Sequence, residues 1–465
     1  MTLDLVIKNG KIVSEYGVVE GDIGIENGYI TKIARSIDEK SEQKIDAAGK
    51  IVIPGGIDGH VHFQMMYSDG VFTADDFYTG TVAAACGGIT TIIDFVTPVL
   101  NESFITAYRK RRGEADGKVV IDYGLHIIVN DASPERLKEV KTLAEEEGVS
   151  IVKVFTAYRK RGLMLDDGAL LQVLRLAASK NILVLAHCEN EDMINMLASK
   201  YLSEDRVSPI YHSMSRPDYV EAEAVQRMAF LTEITGAALL VVHLSSGLGL
   251  DKIKDFKSRG VKVFAETCPH YLVFTEDVYR RSDGRLYIMS PPLKLEHDRQ
   301  QLWKGIADGS ITILGSDHAC FNRRAKERAE RFTEIPGGVQ GVENIIPILF
   351  SEGVKKNIIG LRRFVELVST NPAKLYGLYP KKGIIAVNSQ ADLAVIDPNL
   401  RIKLGRETLH SNLDHSIYEG IEVTGYPIHV IHRGEVIVEN RIFVGKEGRG
   451  TYIKRRKPLI IAEAT

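Results

Sequence analysis

The stretch Ile51-Val52-Ile53-Pro54-Gly55-Gly56-Ile57-Asp58-Gly59-His60-Val61-His62 joins an apolar run to a pair of histidines. In an extended strand, residues two apart share a face, so Asp58, His60 and His62 would project to one side. Two imidazoles held together on a rigid strand make half of a metal site. Taken alone, the two histidines could equally be unrelated residues on a polar strand face. The rest of the chain has to decide between these interpretations.

Apolar, β-rich runs recur through the middle of the chain and alternate with helical patterns. Asp167 to Ser179 and Tyr219 to Thr235 are typical of the helical stretches. Continuous apolar strands separated by helices indicate a parallel sheet buried on both faces, and eight of them predict an α/β fold with a (β/α)8 TIM-like barrel. The eight runs are Ile51 to Ile57, Ile89 to Phe95, Val119 to Val129, Val149 to Phe155, Ile182 to Ala186, Ala238 to Val242, Val261 to Ala265 and Ile311 to Gly315.

Both chain ends have the pattern of a small antiparallel sheet. Near the start, short strands are predicted at Leu5 to Lys8, Lys11 to Ser14, Ile23 to Glu26 and Ile30 to Ala34, with hairpin turns at Asn9-Gly10 and Asn27-Gly28. A similar pattern returns at 391–396 and 429–438. Neither end alone offers two full layers, so we expect both to complete one small β-sandwich. The predicted boundaries are 1–53 for its N-terminal part, 54–380 for the barrel and 381–465 for its C-terminal part and tail.

Length and composition are those of an ordinary soluble globular enzyme. The chain has 465 residues, of which 44% are hydrophobic and 26% charged, and a formal net charge of −2. This balance argues against nucleic acid or an acidic membrane surface as a partner. No run reaches the ~18 apolar residues of a membrane span, and the first ten residues do not resemble a signal peptide. Four scattered cysteines favour a reduced, cytoplasmic setting.

Two basic runs could suggest a nucleic-acid interface. They are Arg109 to Arg112 and Lys454 to Lys457. Because the overall charge is balanced, we expect each run to be a solvated face, or for the second an oligomer contact. Small molecules and copies of the chain itself are the expected partners.

Polar residues follow the apolar runs where a barrel carries its chemistry, at the C-terminal ends of the strands. A single histidine at such a position is more often a hydrogen-bonded structural residue than a ligand. Several of them converging on one barrel mouth would bury polar groups without partners unless they bound something. The sequence therefore predicts a metal site there. The residues are His60 and His62 after the first run, His187 after the fifth, His243 after the sixth and Asp317 after the eighth.

Lys153 stands inside the apolar run Ser150 to Phe155, where a charged ammonium group would lose its hydration. The side chain could extend to solvent or pair with a carboxylate. Alternatively, a lysine with a lowered pKa could add carbon dioxide and become a carbamate, whose two oxygens could bridge two metal ions.

The order of these motifs resembles the cyclic amidohydrolases, and most closely the hydantoinase and dihydropyrimidinase branch, over nearly the full length. The motifs are Gly55 to His62, Lys153 to Tyr158, His187 to Asn190, Val242 to Ser245, Glu266 to Pro269 and Gly315 to His318. The resemblance implies two divalent ions, usually zinc, and carbon dioxide as a carbamate on Lys153. It assigns as ligands His60, His62 and Asp317 for one ion, His187 and His243 for the other, and Lys153 for both. Glu266 and His318 would contact these ligands.

The resemblance also implies a reaction, in which a hydroxide shared by the ions attacks the carbonyl of a cyclic amide. Asp317 would take the proton of this water and pass it to the leaving ring nitrogen. Tyr158 would stabilise the oxyanion, and Ser290 would contact the cyclic amide. Hydantoinases often carry Asn where this chain has Gly337; glycine can still bind substrate there through its backbone, but it has no side chain to do so. Dihydroorotases carry an arginine in place of Gln64, which argues against dihydroorotate.

We therefore expect hydrolysis of a small cyclic ureide, a hydantoin or a dihydropyrimidine, to an N-carbamoyl amino acid. The resemblance further implies a homotetramer. Loops 63–72 and 159–163, with Met65, Met66 and Tyr67, should form an apolar, adaptable pocket for the ring substituent. Allantoinase shares the metal set and is the nearest alternative, although the Tyr158 motif favours a hydantoinase. Non-catalytic dihydropyrimidinase-like scaffold proteins lose metal ligands, whereas all six expected positions are filled here.

Overall fold

The computed structural model describes residues 2–68 and 70–459. Its strands, in chain order, are β1 Leu3–Ser14, β2 Gly17–Glu26, β3 Tyr29–Ala34, β4 Ser41–Asp46, β5 Ile51–Pro54, β6 Gly56–Val61, β7 Met66–Ser68, β8 Val71–Phe72, β9 Ile89–Val96, β10 Asp122–Ile128, β11 Ile151–Phe155, β12 Leu183–His187, β13 Ala238–Val241, β14 Val263–Thr267, β15 Ile313–Leu314, β16 Leu393–Lys403, β17 Glu422–His432, β18 Glu435–Glu439 and β19 Ile442–Phe443.

Helices separate most of the central strands. They are α1 Phe77–Cys86, α2 Phe104–Ala115, α3 Pro134–Glu146, α4 Asp167–Lys180, α5 Glu191–Ser203, α6 Ile210–Met214, α7 Asp218–Thr235, α8 Gly247–Ser258, α9 Pro269–Val273, α10 Glu296–Asp308, α11 Arg323–Glu327, α12 Ile345–Ile348, α13 Leu361–Val365 and α14 Asn371–Leu375. The two helices predicted from the sequence correspond to α4 and α7. Across the described ranges, no helix combines the length and the apolar character needed to cross a membrane.

Eight parallel strands form the predicted barrel. Their order is β6, β9, β10, β11, β12, β13, β14 and β15, and each pairs with the next in chain order. Backbone hydrogen bonds between the last segment and the first close the ring: His62 N donates to His318 O at 2.9 Å, and His318 N donates to His60 O at 3.3 Å. The predicted fold class is confirmed.

Alternation along each strand decides which side chains enter the barrel. In β11, Ile151 and Phe155 belong to the apolar cluster inside the barrel, whereas Val152 and Val154 pack in the cluster beneath the helices. Lys153 has the parity of Ile151 and Phe155 and therefore points inward. The same parity applies to His187 in β12, which follows two inward-facing leucines.

The two chain ends build a second, nine-stranded sheet, as predicted. Its order is β19, β18, β17, β16, β5, β1, β2 and β3, with β4 beside β1. The central strand β5 pairs in parallel with β1 and antiparallel with β16, so it joins the N-terminal half to the C-terminal half. One buried cluster contains residues from both halves, including Ile25, Val52 and Val395, so the halves pack across it as a sandwich.

Two local predictions near the N-terminus differ from the structure. The apolar run Ile51 to Ile57 is divided, since β5 lies in the sandwich and the barrel begins only at β6. Asn9-Gly10 does not turn a hairpin but lies inside β1, where the pairing register with β2 shifts between Ile7 and Gly10. Asn9 takes a left-handed backbone conformation, with φ of +59°. Such a residue suits a β-bulge as well as a turn, which is why the dipeptide was misleading.

The two basic runs are not uniformly solvated, contrary to the prediction. Arg111 on α2 is buried and donates from Nε to Asp94 Oδ1 at 2.9 Å. Arg455 is also buried and donates through its guanidinium to the carbonyl oxygen of Leu125 in β10. Each arginine ties a surface segment to the barrel wall, because a buried guanidinium has to satisfy its donors inside the protein.

Candidate metal centre

The structure brings the six predicted ligand positions together at the C-terminal mouth of the barrel. Lys153 Nζ lies 2.8 Å from His60 Nε2. Asp317 Oδ1 lies 3.2 Å from His60 Nε2 and 3.3 Å from His62 Nε2. On the neighbouring strands, His187 Nδ1 and His243 Nε2 are 3.0 Å apart. The side chains thus form two adjacent groups that meet around Lys153, His60 and Asp317.

The donor set fits a divalent metal ion. His60, His243 and Asp317 each offer a ligand atom, and these atoms lie within 4.8 Å of one another. Burial holds the pKa of His60 and of His243 well below the usual range, so both imidazoles are neutral and carry a free lone pair. Nδ1 of His243 is buried without a hydrogen-bond partner among the described residues. Neutral imidazoles beside a carboxylate are the ligands that zinc and similar ions prefer.

Asp317 remains ionised in this setting. Burial by itself would raise the pKa of this carboxyl group, but the neighbouring His60, His62 and His243 bring it well below its usual range. Asp317 and His243 also share a left-handed backbone conformation, with φ of +48° and +42°. For a residue with a side chain this conformation costs about 1 kcal/mol or more, and such strain is typical of functional sites.

Lys153 is fully enclosed, and burial lowers its pKa to about 8. The carboxyl groups of Asp317 and Glu266 act in the opposite direction and limit the shift. A substantial fraction of the amine is therefore neutral near pH 8, whereas an exposed lysine would be almost fully protonated. A neutral amine is the form that can react with carbon dioxide.

Carboxylates behind the histidines fix which ring nitrogen faces the centre. Glu266 Oε1 lies 2.6 Å from His60 Nδ1, which leaves Nε2 for the site. Glu189 Oε2 lies 2.9 Å from His187 Nε2 and accepts from Arg216 Nη1 at 2.6 Å. Such outer contacts orient metal-binding histidines and raise their basicity. Glu266 was expected in this role.

Two supporting residues, Glu189 and Arg216, were missed in the sequence, and a third, Asp58, has a different role from the one expected. Glu189 could have been found, because it follows His187 by two positions, in the short segment between β12 and α5. Arg216 carries no such signal, since it reaches the site from the segment before α7. Asp58 was predicted on the face of His60 and His62. Its Oδ1 instead accepts hydrogen bonds from the backbone N–H groups of His60 at 3.0 Å and Ser316 at 3.1 Å, so it joins the first and last barrel segments.

A second cluster, formed by Asp75, His318 and Cys320, is not a metal site. Nδ1 of His318 accepts the backbone N–H groups of Gly341 and Val342, at 3.2 and 3.3 Å. The proton of this imidazole is therefore on Nε2, which donates to Asp75 Oδ2 at 2.9 Å. A nitrogen that carries a proton cannot ligate a metal. The cluster instead anchors the residue that follows Asp317.

Tyr158, Ser290 and Gly337 line one small cavity together with five of the six candidate ligands, all except His60. Its volume is about 80 Å³, and a larger chamber of about 500 Å³ adjoins it. Burial raises the pKa of Tyr158, so its hydroxyl stays protonated and can donate a hydrogen bond. A Cβ added at Gly337 would have no neighbour closer than 3.9 Å, so the backbone there lies open toward the cavity.

Two buried residues form hydrogen bonds with the segments that line this cavity, and neither was predicted from the sequence. His212 Nε2 donates to Met289 O at 2.8 Å and lies 3.5 Å from Ser290 Oγ. Lys326 Nζ donates to Ile288 O at 2.8 Å. The same carbonyl accepts the N–H of Gly338 at 2.9 Å. The segments that carry Ser290 and Gly337 are therefore joined at a single carbonyl group.

Known proteins match this chain over nearly its whole length. The Amidohydrolase family model matches residues 51–437. A D-hydantoinase of Geobacillus stearothermophilus is 42% identical over 456 residues, covering 97% of this chain and 96% of that protein. A D-hydantoinase of Ralstonia pickettii is 41% identical over 459 residues, covering 98% and 99%. The crystal structure of dihydropyrimidinase from Brevibacillus agri superposes with a TM-score of 0.95 at 39% identity, covering 97% and 99% of the two chains. The chain thus belongs to the amidohydrolase family, within its hydantoinase branch.

Proposed function

We propose that this protein hydrolyses the cyclic amide bond of hydantoins or dihydropyrimidines and releases N-carbamoyl amino acids. Its family membership makes it a hydrolase that acts on cyclic amides. The observation that carries the proposal is the convergence of all six expected ligand positions beside the cavity of Tyr158, Ser290 and Gly337. A non-catalytic scaffold would have no need to keep this buried donor set.

The amidohydrolase family is metal-dependent, and the donor set suits two divalent ions, which we propose to be zinc. When bound, the ions would lower the pKa of water and polarise the substrate carbonyl. The proposed ligands are His60, His62 and Asp317 for one ion, His187 and His243 for the other, and a carbamate on Lys153 for both. The carbamate forms when the neutral Lys153 amine bonds to the carbon of carbon dioxide and releases a proton.

The remaining residues bind the substrate and move its proton. The ionised Asp317 carboxylate accepts a proton from the attacking water and returns it to the ring nitrogen as the amide bond breaks. The protonated Tyr158 hydroxyl donates to the oxygen on which negative charge develops. Ser290 and the backbone at Gly337 hold the two ends of the cyclic amide.

The position of Gln64 supports a ureide ring without a ring carboxylate. Gln64 lines the outer chamber and takes no part in the inner cavity beside the ligands. A neutral amide here offers no counter-charge for the carboxylate of dihydroorotate. We therefore propose that Gln64 disfavours dihydroorotate, whose carboxylate is bonded directly to the ring.

A side-by-side assay of ring opening tests the proposal. Protein grown with bicarbonate and loaded with zinc is offered dihydrouracil, both enantiomers of a 5-substituted hydantoin, allantoin and dihydroorotate. Turnover of dihydrouracil or of a hydantoin supports the proposal, and the favoured enantiomer reports the stereochemistry. Metal-loaded protein that opens allantoin alone would identify an allantoinase instead.

Two further expectations belong to the same proposal. We propose a homotetramer, which light scattering of the purified protein tests. We also propose a cytoplasmic location, which fractionation of the source cells tests.

A further inference from the structure

Arg161 stands at the border between the inner cavity and the outer chamber and lines both. Its guanidinium carbon lies 4.7 Å from the centre of the Tyr67 ring and 5.5 Å from that of Tyr158. The Tyr158 ring in turn lies 4.9 Å from the ring of His187. One aromatic ring therefore separates this cation from a candidate metal ligand.

Two tyrosine rings contact the guanidinium, and no side chain in the described part of the chain accepts a hydrogen bond from it. Within residues 2–68 and 70–459, Arg161 forms no ion pair and no side-chain hydrogen bond. Its contacts are to the faces of two rings, which fix a guanidinium without using its N–H groups. Arg161 is exposed where it lines the two spaces, and its planar fork of five donors matches the geometry of a carboxylate.

The described residues that line the outer chamber carry more positive than negative charge. Glu114 is paired with Arg111 Nη1 at 2.8 Å, and Glu102 Oε2 accepts the backbone N–H of Val99 at 2.9 Å. Lys110 lines the chamber and, like Arg161, has no ion pair among the described residues. Among the described residues, the chamber is lined by three cations, Lys110, Arg111 and Arg161, and by two carboxylates, Glu102 and Glu114, so its lining has one excess positive charge and favours an anion.

We propose that Arg161 forms an anion subsite, so that the enzyme prefers ureide rings whose substituent ends in a carboxylate. This proposal rests on the proposed function, because Tyr158, Ser290 and Gly337 must first hold the ring in the inner cavity. A ring held there directs its substituent past Tyr158 into the outer chamber, where Arg161 is the cation that lines both spaces. Met65, Met66 and Tyr67 predicted a purely apolar pocket. With Arg161 at its border, the pocket is instead apolar with a cationic end.

A matched pair of substrates isolates the charge from the shape of the substituent. 5-(2-Carboxyethyl)hydantoin and its carboxamide have nearly the same size and differ in charge. We expect kcat/KM of the zinc-loaded enzyme to favour the carboxylate by roughly tenfold, as a charge-assisted bidentate contact predicts. Added salt should reduce this ratio, because the subsite is open to solvent.

Two variants assign the preference to one residue. Arg161→Gln should bring the carboxylate-to-carboxamide ratio to about one, mainly through KM for the carboxylate. Lys160→Gln is the control, since Lys160 is exposed in the same turn and lines neither cavity, and it should keep the ratio of the parent enzyme.

Turnover of unsubstituted hydantoin distinguishes a failure of the anion-subsite proposal from a failure of the proposed function. If hydantoin is opened but the parent enzyme shows no preference for the carboxylate, or Arg161→Gln keeps that preference, the anion subsite is wrong and the proposed function stands. If metal-loaded enzyme opens neither hydantoin nor dihydrouracil, the proposed function fails and the subsite falls with it.

Discussion

Glu189 follows His187 by two residues, and its Oε2 atom lies 2.9 Å from Nε2 of that histidine. The contact turns His187 Nδ1 toward His243 Nε2, 3.0 Å away. Burial would raise the pKa of Glu189, but Arg216 and His187 bring it well below the usual range, so the carboxylate stays ionised. A charged acceptor behind the imidazole keeps the proton on Nε2 and the lone pair of Nδ1 in the site.

Replacing Glu189 by Gln should therefore weaken metal binding at the His187 and His243 pair. The amide can accept a hydrogen bond but removes the charge, and loss of such an outer partner typically lowers metal affinity by about 10–100-fold. Competition with a chelator measures the change. Asp192→Asn is the control, because Asp192 is exposed and pairs with Arg159 on the surface. An unchanged metal affinity in Glu189→Gln would contradict the role assigned to this carboxylate.

Lys153→Met tests the lysine as a metal ligand. Methionine keeps the length of the side chain and suits the buried position, so the variant should fold while it loses bound metal and ring opening. Metal analysis, circular dichroism and the hydantoin assay report the three properties. Lys160→Met, at an exposed position, should leave all of them unchanged. Retained turnover in Lys153→Met would contradict the carbamate hypothesis.

Formation of the carbamate should depend on pH with a definite sign. Burial lowers the pKa of Lys153 to about 8, so the neutral, reactive amine increases as the pH rises through this value. At pH 7 about a tenth of the amine would be neutral, and at pH 9 about nine tenths. Metal-stripped protein given zinc and a fixed concentration of dissolved carbon dioxide should recover activity faster at pH 8.5 than at pH 7. Recovery that slows with rising pH would argue against a reactive neutral amine.

The sequence allowed the barrel and the candidate ligands to be predicted, because both depend on local patterns. Alternation within a strand decides that Lys153 points inward, and the end of a strand places His187 at the mouth. The bulge at Asn9 was missed because a hairpin and a bulge favour the same left-handed residue. After a hairpin turn the chain reverses direction, whereas at this bulge it continues along the same partner strand, and the pairing with β2 decides between them.

Long-range contacts account for the rest of what was missed. Arg216 reaches Glu189 across 27 positions, and Lys326 reaches Ile288 across 38. Neither residue lies in a motif, and an arginine or a lysine is usually exposed. Their burial follows from tertiary packing, so only the structure reveals that they support the site.

Lys326→Met should impair substrate binding more than the chemical step. The variant removes one of the two donors to the Ile288 carbonyl, which joins the segments of Ser290 and Gly337. We expect KM for hydantoin to rise by roughly three- to tenfold, with kcat changed by less than about twofold. Arg324→Met is the control, because Arg324 is exposed on the same helix. A fall in kcat at constant KM would place the effect of Lys326 elsewhere.

Asp75 is buried and its neighbour Asp76 is exposed, so their asparagine variants should differ in the free energy of unfolding. Asp75 is buried and accepts from His318 Nε2 at 2.9 Å, from the backbone N–H of Asn412 at 2.7 Å and from the Ser411 hydroxyl. Asp76 is exposed and caps α1. Asp75→Asn should lower the free energy of unfolding by about 2–3 kcal/mol, because the variant weakens buried hydrogen bonds to a charged group. Asp76→Asn should change it little, since asparagine caps a helix equally well.

The pH dependence of this difference tests its electrostatic origin. Burial would raise the pKa of Asp75, but His318, Ser411 and Asn412 lower it below the usual range. The carboxylate therefore contributes stability above its unfolded pKa of about 3.9, and this contribution disappears as the pH falls through the lower folded value. Urea denaturation should give a constant gap between the parent protein and Asp75→Asn from pH 8 to 5, and a narrowing gap below about pH 4. A gap that is constant down to pH 3 would mean that packing, rather than charge, makes Asp75 important.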